Sequence, residues 1–537
     1  MNVGDAGSLR WRILIADHLP EAGWEVLRAE PGIEAIGPIA DRATLLAALP
    51  EADALILRAA TQVDAELLDA APRLRVIGRA GASLDGIDLD ACTERGILVQ
   101  SVPYANVDAV AELTFGLLLA AARGIPQGYA ALRRGEFPRH TMLGFQLHGK
   151  QLGLIGFGRL GRAVAERARA FGMPVLVYDP YVDLSFAQEQ GVEVLGLGEL
   201  LNRADVLSLN TVLTEQTHHM IDGEALARMK PGATLVNCTH AGLIDEVALL
   251  AALDSGRLAW AALDTLQQEP PAPDHPLLAH PRVVALPHLN QNTVESQADT
   301  GRTIARDVLD ALSGRDYRAA ANLPFAADAP YPEAAPYLRL AEKLGRLQGQ
   351  LADGWIERLE VEVLGEQPSR HVRAIAACLL AGMLRPASGR RVNWISAPPL
   401  ARSQGIQTAQ ARDLVQLGDY PNLLACRLSW EGGSRTVAGA LFANGEARLV
   451  QYEGFRIDAH PEGPVLIIEN DDRAGVIGRV GMLLGEAGVN IASWRYGRQR
   501  IGGRALSFIN LDQALPEALL GRLRASPEIH RARQLRL

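Results

Sequence analysis

Lysine is nearly absent: Lys150, Lys230 and Lys343 are the only three among the 53 Lys and Arg residues of the 537-residue chain. Basic side chains are also outnumbered by 62 acidic ones, which leaves a formal charge of −9. A chain of this balance lacks the broad basic face that nucleic acid or an anionic membrane attracts, so neither is expected as a partner. A small anionic ligand stays compatible, because it needs only a local Arg cluster. Cysteine is scarce too. Cys92, Cys238, Cys378 and Cys426 are far apart, and none falls at a metal-chelating spacing. That pattern argues against a disulfide scaffold and a zinc site, and the expectation is a reduced, cytoplasmic protein with no metal. Long apolar runs are missing. LTFGLLLAAA, before Arg123, is too short to cross a bilayer and reads as a buried helix. The opening MNVGDAGSLRWRILIAD has no basic region followed by an apolar core, so no leader peptide is expected.

What is present is ordinary for a globular chain: 48% hydrophobic and 21% charged residues, at a length that suggests three or four domains. Over the first two-thirds, short apolar runs alternate with helical patterns. RILIAD, ADALILR and LRVIGRAG read as strands, with ATLLAALP and AELLDAAP as helices. QLGLIGFG, MPVLVYD, ADVLSLN, ATLVNC, LAWAALD and RVVALPH continue the series. Near-continuous apolar strands separated by helices predict α/β architecture with parallel sheets covered on both faces. The Gly-rich turn at Gly156 comes only after about three βα units. Two doubly wound, Rossmann-like domains are therefore expected, joined by a long helix near AVAELTFGLLLAAAR. NLPFAADAPYPEAAP (322–336) reads as a linker. An α+β stretch follows to about 460, and then a compact βαββ pattern with a further helix, PEALLGRLRA.

Gly156-Phe157-Gly158-Arg159-Leu160-Gly161 matches GxGxxG between an apolar strand and an amphipathic helix. Gly156 permits the tight turn, Gly158 lets backbone N–H groups approach a pyrophosphate, and Gly161 lets helix and strand pack closely. The helix N-terminus adds partial positive charge. Asp179 ends the next strand, where a carboxylate accepts hydrogen bonds from the adenosine ribose and repels a 2′-phosphate. Pro180 and Tyr181 offer no Arg in its place, so the expected cofactor is NAD rather than NADP.

With that unit, the segments NCTHAGLIDEVALL (237–250), ALDTLQQEPP (262–271) and LPHLNQNT (286–293) resemble the D-2-hydroxyacid dehydrogenase family. VIGRAGASLDGIDLDACTERGILV looks like that family's substrate-domain loop. VNWISAPPLARSQGI and ENDDRAGVIGRVGMLLGEAGVNIASW resemble the intervening and ACT domains of its long form. The resemblance implies four domains: 1–103 plus 296–322 for substrate, 104–295 for NAD, 323–460 as the intervening domain, and 461–537 as a βαββαβ ACT-like domain. It implies NAD-dependent oxidation of a small anionic D-2-hydroxy acid, with 3-phosphoglycerate to 3-phosphohydroxypyruvate, the first step of serine synthesis, as the leading pair. It also implies a homodimer or homotetramer.

The implied catalytic dyad is His288 with Glu269. Oxidising a secondary alcohol needs a base near neutral pH, and a carboxylate on the far ring nitrogen holds the tautomer. Asp264 joins the implied cofactor set. Arg58, Arg79, Ala82, Ser83 and Asn106 form the implied substrate set, with Arg139 as a weaker candidate that would act at a subunit boundary. An isolated Arg is more often a surface or structural ion pair. Asn470, Asp472 and Asn490 match positions that bind an amino-acid effector in ACT modules, although the module also reads as a purely structural pairing unit. His218 and His219 read as surface residues.

The chain departs from the family pattern where substrate would lie. His240 stands at the position of a substrate-clamping Arg, followed by Ala241, and Asn290-Gln291-Asn292 replaces a loop of small residues. Losing a charge-assisted contact costs roughly 1.5–3 kcal/mol. Three readings remain open at this level: the family's 3-phosphoglycerate activity, a paralogue acting on another phosphorylated or phosphonate hydroxy or oxo acid, and an NAD-binding regulatory protein with little turnover.

Overall fold

The computed structural model describes residues 10–103, 105–323, 331–389, 391–416, 420–443 and 445–537. The chain divides into two compact units, Met1–Val102 with Arg302–Leu537, and Pro103–Gly301. Four sheets are present among the described residues, and each draws its strands from one of the four stretches that the sequence reading separates.

In the first unit, β1 (Trp11–Ile15), β2 (Ile33–Ile36), β3 (Ala54–Leu57), β4 (Val76–Arg79) and β5 (Leu98–Gln100) form a parallel sheet in the order β2-β1-β3-β4-β5. Five strands thus precede the Gly-rich turn, where the sequence pattern predicts about three βα units. The two that escaped are weak signals: β2 is half-buried throughout, and β5 is three residues long. The central strands β3 and β4 are buried along their whole length, which is why they read as unbroken apolar runs.

The second unit holds β6 (Leu152–Ile155), β7 (Val175–Tyr178), β8 (Glu193–Val194), β9 (Val206–Leu209), β10 (Ala233–Asn237), β11 (Leu258–Leu263) and β12 (Val283–Ala285). They pair in parallel in the order β12-β11-β10-β9-β6-β7-β8. The order reverses between β6 and β9, so the crevice at their carboxyl ends is the natural ligand position of a doubly wound sheet. The helix Val107–Arg123 contributes eight buried residues to this unit's core. Among the described residues no single helix is long and apolar enough to cross a membrane.

Helix starts in both sheets use the same local device. Asp41, Asp64, Asp88, Asp183, Asp222 and Asp245 each cap a helix with a carboxylate that accepts a first-turn N–H. Each cap contributes about 1 kcal/mol.

The expected linker differs from the structure at its end. Residues 324–330 lie outside the described residues, and from Tyr331 the chain is already helical, running to Leu351 with Pro336 inside. Apolar contact outweighs the missing proline donor: eleven residues of this helix are buried. It crosses the helix Val372–Leu384 at close range, where a Cβ on Gly345 would come within 2.0 Å of the Leu379 carbonyl oxygen. A six-stranded sheet spanning residues 356–459 and a four-stranded sheet spanning 464–536 follow in the same unit. Their facing sides share one core: Leu449, Phe455 and Ile457 pack in the same cluster as Val465, Ile467 and Phe508. The helices Val476–Glu486 and Glu517–Arg524 cover the other face of the last sheet.

One buried acid gives this unit a pH-dependent stability. Asp307, in the helix Val294–Ser313, is 8% exposed, and burial pushes its carboxyl up to about 7; Arg318 opposes the shift, while Asp310 and Asp316 add to it. A carboxyl raised in the folded state is protonated there while the unfolded chain is already ionised. Its stabilising effect is full below the unfolded value and is lost as pH rises from about 4 to about 7. The loss is up to about 4 kcal/mol. Asp307→Asn should therefore raise the melting temperature at pH 8 and leave it nearly unchanged at pH 4. Equal shifts at both pH values in a thermal-melt series would show that Asp307 does not carry this effect.

Candidate active site

The Gly-rich turn follows β6. Gly156 has φ +94°, and a Cβ there would lie 2.6 Å from the Asn210 carbonyl oxygen. A Cβ on Gly161 would lie 2.2 Å from the Gly156 carbonyl oxygen. These two glycines are required by conformation and close approach. Gly158 differs: a Cβ there meets nothing within 4 Å. It opens the helix Arg159–Ala170, with Arg159 exposed and Leu160 half-buried beside it. An open backbone at a helix start suits a pyrophosphate, so the residues present fit a dinucleotide. Asp179 ties the turn down: Oδ2 accepts from Phe157 N–H at 2.8 Å and Oδ1 from Tyr181 N–H at 2.9 Å. Each oxygen keeps a second lone pair for a ribose hydroxyl.

Along the same carboxyl edge, the turns after β10, β11 and β12 carry His240, Glu269 and His288. The dyad is formed. His288 Nδ1 lies 2.8 Å from Glu269 Oε2, with side chains 43% and 40% exposed. The other Glu269 oxygen accepts from Leu266 N–H at 3.3 Å. His288 sits in left-handed backbone, φ +54°, an uncommon conformation for a residue with a Cβ.

Asp264 explains how that conformation is held. Its carboxylate accepts Leu289 N–H at 2.8 Å and Asn290 N–H at 2.9 Å, and its carbonyl accepts His288 N–H at 2.9 Å. Asp264 is 0% exposed. Burial pushes its carboxyl above the ordinary range, against the two N–H bonds and the nearby His288, while Glu269 adds to the rise. Beside the cofactor contact expected of it, Asp264 thus has a loop-holding role: each of its carboxylate oxygens accepts one N–H of the 288–290 loop.

Further ties join the three turns. Asn290 Nδ2 donates to Cys238 O at 3.1 Å, and Asn237 Nδ2 donates to His240 O at 2.9 Å. The exposed His240 is therefore fixed in backbone position next to the dyad's loop. His219 has a partner that the surface reading does not anticipate. It is half-buried, stacks on His218 at 3.9 Å and lies 3.0 Å from Gln267 Nε2. Neither this contact nor the loop-holding role of Asp264 carries a sequence signal, because both depend on which strands are neighbours.

The expected substrate residues sit in different places. In the first unit Arg79 is 5% exposed at the end of β4, with Nε donating to Ser83 O at 3.0 Å and Nη1 buried without a partner. Burial lowers its pKa, Asp17 and Asp85 raise it, and Arg58 lowers it further. Arg58, half-buried, donates its N–H to Asp17 at 2.6 Å, and Ala82 and Ser83 are half-buried in the loop that Arg79 holds. In the second unit Asn106 precedes the helix Val107–Arg123, and its side chain makes no capping bond. Arg139 is exposed.

The expected effector residues do not converge within one chain. Asn470, 1% exposed, and Asp472, which accepts from Tyr496 Oη at 3.0 Å and Gly502 N–H at 3.0 Å, lie at the end of the strand Pro464–Asp471. Asn490, bonded to Asp512 Oδ2 at 2.7 Å, lies at the opposite end of that sheet, roughly 20 Å away along a strand. Among the described residues no group of His, Cys, Asp or Glu gathers as a metal site.

Comparison with known proteins covers nearly the whole chain. Residues 115–290 match the NAD-binding domain of D-isomer specific 2-hydroxyacid dehydrogenases. Residues 333–453 match the D-3-phosphoglycerate dehydrogenase intervening domain, and 464–528 the ACT domain. The D-3-phosphoglycerate dehydrogenase of Methanocaldococcus jannaschii is 37% identical over 519 residues, 96% of this chain and 98% of that protein. That of Mycobacterium bovis is 39% identical over 508 residues, 94% of this chain and 95% of that protein. Among solved structures, the TT0316 protein from Thermus thermophilus superposes with a TM-score of 0.53 at 37% identity, covering 58% of this chain and 99% of that one.

Proposed function

Because the chain belongs to the D-isomer specific 2-hydroxyacid dehydrogenase family, we propose that it oxidises 3-phosphoglycerate to 3-phosphohydroxypyruvate with NAD, the first step of serine synthesis. The observation that supports this most is the 2.8 Å contact of His288 Nδ1 with Glu269, in a chain similar to D-3-phosphoglycerate dehydrogenases over nearly its whole length. When bound, NAD supplies the acceptor for the hydride leaving C2. His288 takes the C2 hydroxyl proton on Nε2, and Glu269 keeps Nδ1 protonated and stabilises the imidazolium that forms. In reduction the same imidazolium returns the proton. The turn at Gly156, Gly158 and Gly161 is assigned to the pyrophosphate and Asp179 to the ribose. His240 is assigned to the substrate carboxylate, Arg58 and Arg79 to anion recognition, and Ala82, Ser83 and Asn106 to substrate contact.

Purified protein should produce an NADH absorbance rise with 3-phosphoglycerate when the product is removed. Inactivity across a panel of D-2-hydroxy acids, with NAD binding intact, would overturn the assignment. The His240 role has its own test. An imidazole holds a carboxylate best when protonated, and free imidazole titrates near roughly 6.5. Affinity of 3-phosphoglycerate for the NADH complex, where no turnover occurs, should weaken as pH rises through that range. His240→Arg should bind about tenfold more tightly at pH 8, through a permanent charge-assisted contact, and should flatten the trend. Parallel pH curves for the two proteins would remove His240 from carboxylate binding.

A homodimer or homotetramer is proposed, supported by exposed apolar side chains on and after the helix Ile125–Arg133, among them Tyr129, Leu132 and Phe137. The ACT module is proposed as an amino-acid effector site. Because one chain separates Asn470 and Asp472 from Asn490, that site calls for two modules side by side.

A further inference from the structure

We propose that His219 and Gln267 form a protonation-sensitive clamp that positions Glu269, and that protonating His219 opens it. The inference rests on the dyad reading above. Gln267 lies two residues before Glu269 and is held at three points. Its backbone N–H donates to Glu246 Oε1 at 2.8 Å. Its side-chain Nε2 donates to Ile244 O at 2.9 Å, and the same Nε2 lies 3.0 Å from His219 Nε2.

The Ile244 carbonyl decides the orientation of the amide. With Oε1 in that place, two oxygens would face each other lone pair to lone pair. The NH2 group therefore faces both neighbours, with one hydrogen for each. His219 Nε2 must then present a lone pair, which makes the ring neutral and protonated on Nδ1. A proton on Nε2 sets N–H against N–H. Flipping the amide satisfies the protonated ring but turns Oε1 onto Ile244 O. No arrangement keeps both bonds, so one is lost.

His219 cannot readily move to relieve the conflict. Its backbone has φ +50°, its N–H donates to Gly242 O at 2.8 Å, and its ring is stacked on His218. The titratable groups around the clamp are His218 on the ring face, His240 in the segment leading to Gly242, and Glu246, whose carboxylate is shared between Gln267 N–H and His275 Nε2 at 3.3 Å. From Gln267 the path to the dyad is one turn long: Leu266 N–H donates to one Glu269 oxygen while the other meets His288. His219 and Gln267 touch neither dyad member's reacting atom, so both are positioning residues.

The test uses the full chain with His219→Asn and Gln267→Leu. Asn accepts left-handed backbone, so the first variant removes the imidazole and keeps the turn. Hydrogen exchange of peptide 264–271, corrected for intrinsic rates and read without substrate, reports the clamp whether or not 3-phosphoglycerate is the substrate. In the wild type its protection should fall about 3- to 10-fold between about pH 8 and about pH 5.5, the worth of one hydrogen bond. In His219→Asn it should be low at both. With substrate, kcat at pH 8 should be about 3- to 10-fold lower in either variant, with KM unchanged, and the gap from wild type should close at acid pH. Because His288 also titrates, the difference between wild type and variant is the readout. Wild-type kcat in His219→Asn, or identical pH dependence of protection in wild type and His219→Asn, overturns the clamp. Loss of turnover on all hydroxy acids with the exchange pattern intact overturns the assigned reaction and leaves the clamp standing.

Discussion

His288→Gln is expected to lower kcat about 10²- to 10⁴-fold in both directions, with the NADH dissociation constant nearly unchanged. The reason is positional. His288 follows the edge strand β12 and reaches Glu269 through Nδ1, so Nε2 is the ring nitrogen left for the substrate hydroxyl. Gln fills similar space and makes hydrogen bonds, but it has no basic nitrogen to take a proton. The dinucleotide turn belongs to β6, several strands away in the sheet, and does not depend on that side chain. Steady-state rates with 3-phosphoglycerate and fluorescence titration with NADH would measure the two quantities separately. A variant that keeps wild-type kcat would remove His288 from proton transfer.

The second large effect is expected at Asp264. Asp264→Asn should reduce kcat about 10- to 100-fold while NADH affinity changes little. The carboxylate accepts two backbone N–H groups, from the half-buried Leu289 and the buried Asn290. An amide offers one oxygen and one NH2 group, so one N–H loses its acceptor and meets a donor instead. A buried donor left unmet costs about 1–3 kcal/mol, and the loop can recover that only by relaxing. Relaxation is easy here, because His288 is held at φ +54° by the same cage. The outcome separates two roles. If NADH binding weakens tenfold while kcat holds, Asp264 is a cofactor residue, as its place in the sequence pattern implies. If kcat falls alone, it is the post on which the loop is wound.

Much of the architecture was legible because it is written locally. The Gly-rich turn after QLGLI, the Asp179 that follows it and the alternation of apolar runs with helices are short-range patterns, and short-range patterns reflect backbone rules. β2 escaped because a half-buried edge strand such as Ile33–Ile36 has no unbroken apolar run. The helix beginning at Tyr331 escaped because its Pro- and Ala-rich start resembles a linker until the helix Val372–Leu384 is packed against it. His288 and Glu269 were legible as motif positions, although nothing in their spacing says that they touch.

By itself the sequence determined the class of sheet, the dinucleotide turn, the preference for NAD and the residues able to do acid–base chemistry. Those follow from side-chain chemistry and from backbone conformations set within a few residues. Only the tertiary structure decided that Asp264 faces inward to hold the 288–290 loop, that His219 reaches Gln267 across 48 positions of chain, and that Asn470 and Asn490 lie at opposite ends of one sheet. The physical reason is common to all three. In a parallel sheet the neighbours of a turn are the turns of adjacent strands, tens of residues away, and in the small ACT sheet strand direction sets which ends meet. Hydrogen bonds between such partners are settled by strand order, which no local pattern encodes.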